Sequence, residues 1–315
     1  MVRKAQELFS GIKKGDITSL SQGITLIESR NPDHQKEARE LLKLIYPLTG
    51  RAKRIAISGT PGVGKSTFIE SFGMYLIGKD QKLAVLAIDP TSQRTGGSIL
   101  GDKTRMTHLS AHKDAFIRPS PNGETLGGIA AKTREAMLLC DAFGFDFIFI
   151  ETVGVGQSEL SVSHLVDFFI LLMQPGSGDE LQGIKRGILE VSDLVLIHKA
   201  DGENQKLAKI AQHDFKRSLA ILQNDRSWQT PVLACSSLEK TGFEETESVI
   251  DKFFKQYNLE SRKTQLQIWL KELLMEQLDT KIESLNLKDN LERIYKGQTD
   301  ILNELDKLSQ EIFRD

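Results

Sequence analysis

Gly59, Gly64, Lys65 and Ser66 stand at the spacing G-x-x-x-x-G-K-[ST] within ISGTPGVGKST, residues 57–67. An apolar run of strand character precedes them and the helically periodic FIESFGMYL follows, the context this motif requires. Glycines let main-chain N–H groups turn inward around a phosphate. The span from Gly59 through Pro61, Gly62, Val63 and Gly64 to Thr67 is therefore expected to wrap a polyphosphate. Lys65 would place a point charge near the β and γ oxygens, and Ser66 its hydroxyl on Mg²⁺.

Acids and a second loop extend this chemistry. Asp89 follows LAVLAI and Glu151 follows FDFIFI, each at the carboxyl end of a buried run where an isolated negative charge is costly. Mg²⁺ would remove that cost; each acid singly could instead cap the helix after it. Gly154 and Gly156, just past Glu151, would let that loop move as a γ-phosphate comes or goes. Farther on, SDLVLIHKADG (192–202) ends in Lys199 and Asp201. A carboxylate there accepts from both N1–H and the 2-amino group of guanine, whereas adenine has an acceptor at N1 and no 2-amino group. Lys199 would lay its stem over the base. His198 occupies the place of the usual asparagine and could donate one N–H to base N7, but an imidazole cannot reproduce both functions of a carboxamide. CSSLEKTG (235–242) follows another strand-like run, so Cys235, Ser236 and Ser237 are expected in a second base-contacting loop.

These residues need an α/β scaffold, and the chain carries its signs. From residue 53 to about 256, β-rich runs (RIAIS, LAVLAID, FDFIFIE, VDFFILLM, SDLVLI, PVLACS) alternate with helix-length stretches, which implies βαβ units around a mainly parallel sheet flanked by helices. Residues 1–50 form a helical N-terminal extension, with Leu20, Ile24 and Ile27, then Ala38, Leu41, Leu42 and Ile45 at helical spacing. The nucleotide domain covers 51–258. Residues 259–315 form a helical arm with one stripe from Leu266 to Leu285 and another from Leu291 to Ile312, expected as a two-helix hairpin. That stripe either packs on its own domain or makes a dimer.

Composition narrows the partners. A formal net charge of −2 with 27% charged residues gives no basic field for nucleic acid. Cys140 and Cys235 lack CxxC spacing, which argues against a disulfide framework and a thiolate metal site and fits a reducing cytoplasm. No apolar run approaches the roughly 20 residues of a membrane span, and the start has no apolar signal region. A cytoplasmic location with no membrane partner is expected.

The chain resembles the MeaB/ArgK family of P-loop GTPases, chaperones of adenosylcobalamin-dependent acyl-CoA mutases such as methylmalonyl-CoA mutase. The resemblance rests on GTPGVGKST (59–67), IDPTSQRTGGSILGDKTRM (88–106), RPSP (118–121) with TLGG (125–128), ETVGVGQSE (151–159), QPGSGDELQGIKRGI (174–188) and HKADG (198–202), in the family's order. It departs at His198, at the NGE before TLGG, and in the last fifty residues, which match only as a helical arm. The family implies bound GTP or GDP with Mg²⁺, phosphate and metal binding by Lys65, Ser66 and Thr67, and metal or water duties for Asp89 and Asp102. It also implies metal support from Glu151, a mobile segment carrying Lys185 toward the nucleotide, a mutase partner and a homodimer. For Asp102 a second reading stands, since the GDKT turn could cap the following helix. Arg94 and Arg105 are either inward-swinging cations or surface charge.

Two rival functions compete with this reading. A protein kinase or ATPase linked to amino-acid transport would need a protein acceptor, and the chain has neither HRD nor DFG. A metallochaperone GTPase would use His108 and His112, spaced i, i+4 on an expected helix. The guanine assignment has a direct test: in a titration GTP is expected to bind about a hundredfold or more tighter than ATP. Equal affinity would overturn it.

Overall fold

In the computed structural model the chain is described over residues 3–88, 106–119, 126–152, 162–176, 186–223, 226–256, 260–285 and 287–313. The described residues form two compact units, divided between Tyr257 and Asn258.

The first unit is built on a seven-stranded sheet: β1 (Lys53–Gly59), β2 (Leu83–Ile88), β3 (Ala115–Pro119), β4 (Phe147–Thr152), β5 (Phe168–Met173), β6 (Leu194–Ile197) and β7 (Val232–Ala234). Their order is β3-β2-β4-β1-β5-β6-β7 and every pairing is parallel. After β1 the chain builds one half of the sheet, and from β5 it builds the other. Ligands bind at such a reversal, beyond the carboxyl ends of the strands. Six strands fall on the β-rich runs of the sequence. The seventh, β3, is short and carries Arg118 and Pro119, so it shows no sustained apolar pattern; an edge position tolerates both.

Burial on both faces explains the near-continuous apolar runs. Ala56, Ile148, Ile150, Phe169, Leu171 and Val195 face one core. Their neighbours Ile55, Ile57, Phe149, Phe168, Ile170 and Leu196 face the other. The second core is closed by α4 (Lys65–Ile77), α5 (Thr107–Ala111) and α9 (Phe243–Gln256). There Phe68 stacks on Phe72 at 5.2 Å and Phe72 on Phe149 at 6.1 Å, fixing the helix of the glycine loop to the central strands.

The first core includes α6 (Leu126–Phe143), α7 (Arg186–Val191) and α8 (Asn204–Leu222), together with three N-terminal helices: α1 (Ala5–Lys13), α2 (Ile17–Glu28) and α3 (Pro32–Ile45). Leu20, Ile24, Ile27, Ala38, Leu41 and Ile45 are all buried there. Helix α1 contributes Ala5, Leu8 and Ile12 to the same core, a periodicity of only three positions. Local signals set the boundaries. Asp16 accepts from the N–H groups of Thr18 and Ser19 at 3.1 Å each, and Asn31 accepts from Asp33 N–H at 2.9 Å with Pro32 in the first turn.

The second unit holds α10 (Glu260–Ser284), α11 (Leu287–Tyr295) and α12 (Ile301–Phe313). The hairpin expected from two stripes is thus three helices. Gly297, at φ +68°, breaks the second stripe, and Asp300 restarts a helix by accepting from Leu302 and Asn303 N–H at 2.9 and 3.0 Å. Between α11 and α12, Asn290 donates to Glu304 at 2.8 Å and Arg293 lies 3.2 Å from the same carboxylate, with Lys307 of α12 itself at 3.4 Å. The Asn290 amide, with those two cations, holds the Glu304 carboxyl below the usual range.

Asp141 on α6 joins the N-terminal helices to the sheet, accepting from Gly50, Arg51 and Ala52 N–H at 2.6, 3.1 and 3.1 Å just before β1. Asp141→Ala is expected to lower stability by about 2–4 kcal/mol, because main-chain donors lose a buried partner. Asp141→Asn, which keeps one acceptor oxygen, should lose less. Urea unfolding of the two variants measures both.

Candidate active site at the carboxyl ends of the strands

The glycine loop leaves β1 under steric compulsion. A Cβ on Gly59, at φ +153°, would lie 2.5 Å from the Leu172 carbonyl of β5; Gly62 and Gly64 sit at φ +82° and +97°. Only glycine adopts this path without strain. Between them Val63 is fully buried and pins the loop to the core. Pro61, Gly62 and Thr67 are exposed, and Gly64, Lys65 and Ser66 are half-buried. Helix α4 starts at Lys65 after Gly64, an N-cap with no side chain, and the first-turn amides of such a helix suit an anion. The Lys65 ammonium donates to the carbonyls of Gly59 at 2.8 Å and Thr60 at 3.3 Å, so its charge lies across the loop.

Ser66 and Glu151 meet. The Ser66 hydroxyl donates to Glu151 Oε1 at 2.8 Å, and β4 places that carboxylate in register with Ile57 of β1 and Ala87 of β2. The next residue, Thr152, donates to Ser58 Oγ at 2.9 Å, which ties the ends of β4 and β1 together. A hydroxyl and a carboxylate are hard oxygen donors, the kind Mg²⁺ takes while keeping room for phosphate oxygens and water. The pair fits that ion. Asp89, Asp102 and Lys185, with Arg94, Arg105, Gly154 and Gly156, lie outside the described residues.

A second group lies at the ends of β6 and β7. Lys199, at φ +58°, donates from its ammonium to the Gly62 carbonyl at 2.7 Å. Asp201 Oδ2 accepts from the Ser236 hydroxyl at 2.5 Å, and Ser236 Oγ accepts from Glu239 N–H at 3.1 Å. Ser236 also exchanges main-chain hydrogen bonds with Thr241 at 3.1 and 3.0 Å, closing the loop. The Cys235 side chain is buried in the core, which pushes its thiol up to about 12; it serves the site through its carbonyl, which accepts from Ala200 N–H at 3.1 Å. His198 is 2% exposed. Its Nδ1 lies 2.7 Å from the Val63 carbonyl and its Nε2 2.7 Å from Ser237 Oγ. Burial lowers its pKa, so the ring is neutral near pH 7.

Several contributors carried no sequence signal. Phe68 meets the His198 ring edge-on at 6.0 Å, and Glu70 of α4 accepts from His108 and Leu109 N–H at 2.7 and 3.2 Å. Only the position of Glu70 four residues after Ser66 hinted that it shares that face of α4. The paired-histidine expectation is corrected: α5 ends at Ala111, and His112 is extended, accepting from Asp114 N–H at 3.2 Å. His108 and His112 do not share a helix.

The sequence profile of the family described as methylmalonyl Co-A mutase-associated GTPase MeaB matches residues 20–286. This chain belongs to the MeaB family. Among its relatives, GTPase ArgK of Escherichia coli (strain K12) is 51% identical over 235 residues, covering 74% of this chain and 71% of that one. A Mus musculus protein named methylmalonic aciduria type A homolog, mitochondrial, is 41% identical over 290 residues, covering 87% and 70%. A crystal structure named LAO/AO transport system kinase has a TM-score of 0.75, 36% identity and 98% coverage of both chains. This MeaB-family chain is therefore a P-loop GTPase, a hydrolase whose nucleotide carries guanine. Among its described residues no helix is long and apolar enough to cross a membrane.

Gly64 gives the sharpest test of the loop. A Cβ there would stand 2.7 Å from His198 Cε1 and 2.8 Å from Nδ1, on a backbone in the left-handed region. Gly64→Ala is expected to weaken GDP binding about tenfold or more, since the strain and the collision with a buried ring both fall on the phosphate loop. Calorimetric titration measures it.

Proposed function

We propose that this GTPase is a guanine-nucleotide switch that serves an adenosylcobalamin-dependent acyl-CoA mutase of the methylmalonyl-CoA type, gating cofactor loading or protecting the enzyme. The observation that carries the reading is the Ser66–Glu151 hydrogen bond. One side chain of that pair stands at the head of the phosphate-loop helix; the other stands two residues before the segment that starts at 153. A change in what the phosphates present to Ser66 is thereby handed to Glu151 and to the chain that follows it. The mutase itself comes from the family description and from the names of relatives, including the mouse homolog.

In this reading Lys65 supplies positive charge at the polyphosphate, and the main chain from Gly59 to Thr67 orients it. Ser66 and Glu151, with Asp89 and Asp102, would hold Mg²⁺, which supplies neutralisation of charge on the phosphoryl oxygens. Lys185 belongs to a further segment that would report nucleotide state to the mutase. Asp201 reads the base, and Lys199 holds its stem beside it. Cys140 and Cys235 are both free and buried, in keeping with a reducing cytoplasm. Exposed Leu270, Leu274, Leu291, Ile301 and Leu305 in the second unit support a homodimer through that arm.

Capture from the cells that make the protein, with a nonhydrolysable GTP analogue present, is expected to bring down a cobalamin-dependent mutase, and light scattering to give twice the chain mass. A clean capture without any such enzyme would sink the chaperone role.

A further inference from the structure

We infer that His198 is a positioning residue that locks the phosphate loop to the second base loop and makes no contact with the purine, so that this GTPase recognises guanine without its N7 atom. The ring's hydrogen-bonding capacity is accounted for. The Val63 carbonyl can only accept, so Nδ1 must carry the proton that bridges their 2.7 Å separation. Burial keeps the ring neutral, and a neutral imidazole protonated at Nδ1 has a lone pair at Nε2; the Ser237 hydroxyl, 2.7 Å away, donates to it. The atom between the nitrogens, Cε1, faces Gly64 so closely that a Cβ there would stand 2.7 Å away. Phe68 meets the ring edge-on. No N–H remains for a purine acceptor. A carboxamide at the same position would have an acceptor and two donor hydrogens, enough to hold the loop and still reach N7.

The rest of the base site makes up the recognition. Asp201 is fixed by the Ser236 hydroxyl and faces the N1–H and 2-amino edge in the guanine reading, on which this inference rests. Ser237 spends its hydroxyl on His198, which leaves its main chain as its remaining donor. Selection against adenine therefore falls on the Watson–Crick edge, and the five-membered ring of the purine goes unread.

The probe is 7-deaza-GDP, in which N7 is replaced by C–H, compared with GDP by calorimetric titration of the full chain. The wild-type protein is expected to bind the two within about threefold of each other, because no hydrogen bond is lost. His198→Asn should restore a preference for GDP of about fivefold or more, the worth of one regained donor. His198→Ala should weaken both nucleotides alike by loosening the phosphate loop. A wild-type preference for GDP of about tenfold or more would overturn the inference. So would indifference to N7 in both wild type and a folded His198→Asn variant, since position 198 would then not lie at that edge of the base. If neither nucleotide binds, the guanine reading itself fails, an outcome told apart from these because it removes GDP binding as well.

Discussion

Strands buried on both faces leave the core only at their ends, and that constraint organises everything else in the first unit. Polar side chains are costly in the layers between sheet and helices, where Ile57, Phe149, Ile170 and Leu196 pack against α4 and α9. They gather where the strands stop. Ser58, Glu151, Thr152, His198 and Asp201 are therefore neighbours by necessity: each is the polar residue at or just beyond the carboxyl end of β1, β4 or β6. Parallel pairing puts all those ends on one side of the sheet.

Once gathered, these groups satisfy one another, and the pattern of satisfaction joins the loops mechanically. Thr152 to Ser58 and Glu151 to Ser66 bind β4 to the phosphate loop. Lys199 to Gly62 and His198 to Val63 bind the same loop to β6, and His198 to Ser237 and Asp201 to Ser236 carry the linkage on to the loop after β7. The glycine loop is thus coupled, through side-chain hydrogen bonds, to the loops after β6 and β7. Preorganisation of this kind reduces the ordering that binding itself must supply.

Much of this was legible in the chain because its signals are local. The glycine–lysine–serine spacing, the six apolar runs and the helical stripes through Leu20 and Leu41 need no partner to be recognised, and the family resemblance extended them to the GTPase class. What failed were patterns too short or too dependent on neighbours. Strand β3 is specified by pairing with β2 more than by its own residues, and α1 has only three buried positions. The second C-terminal stripe continues in sequence across a left-handed Gly297 that divides it in space. His108 and His112 had helical spacing on a helix that stops too soon.

By itself the sequence determined that a phosphate loop, an acid at the end of a buried strand and a guanine-type motif would occur on a parallel sheet, because each depends on residue type at fixed spacing. Only the tertiary structure decided what His198 does. Its partners, Val63 and Ser237, lie far from it along the chain in opposite directions, and no spacing rule connects them. The proton on Nδ1 is assigned by a carbonyl that folding brings to 2.7 Å. The sequence gives an imidazole two possible tautomers, and the fold leaves it one.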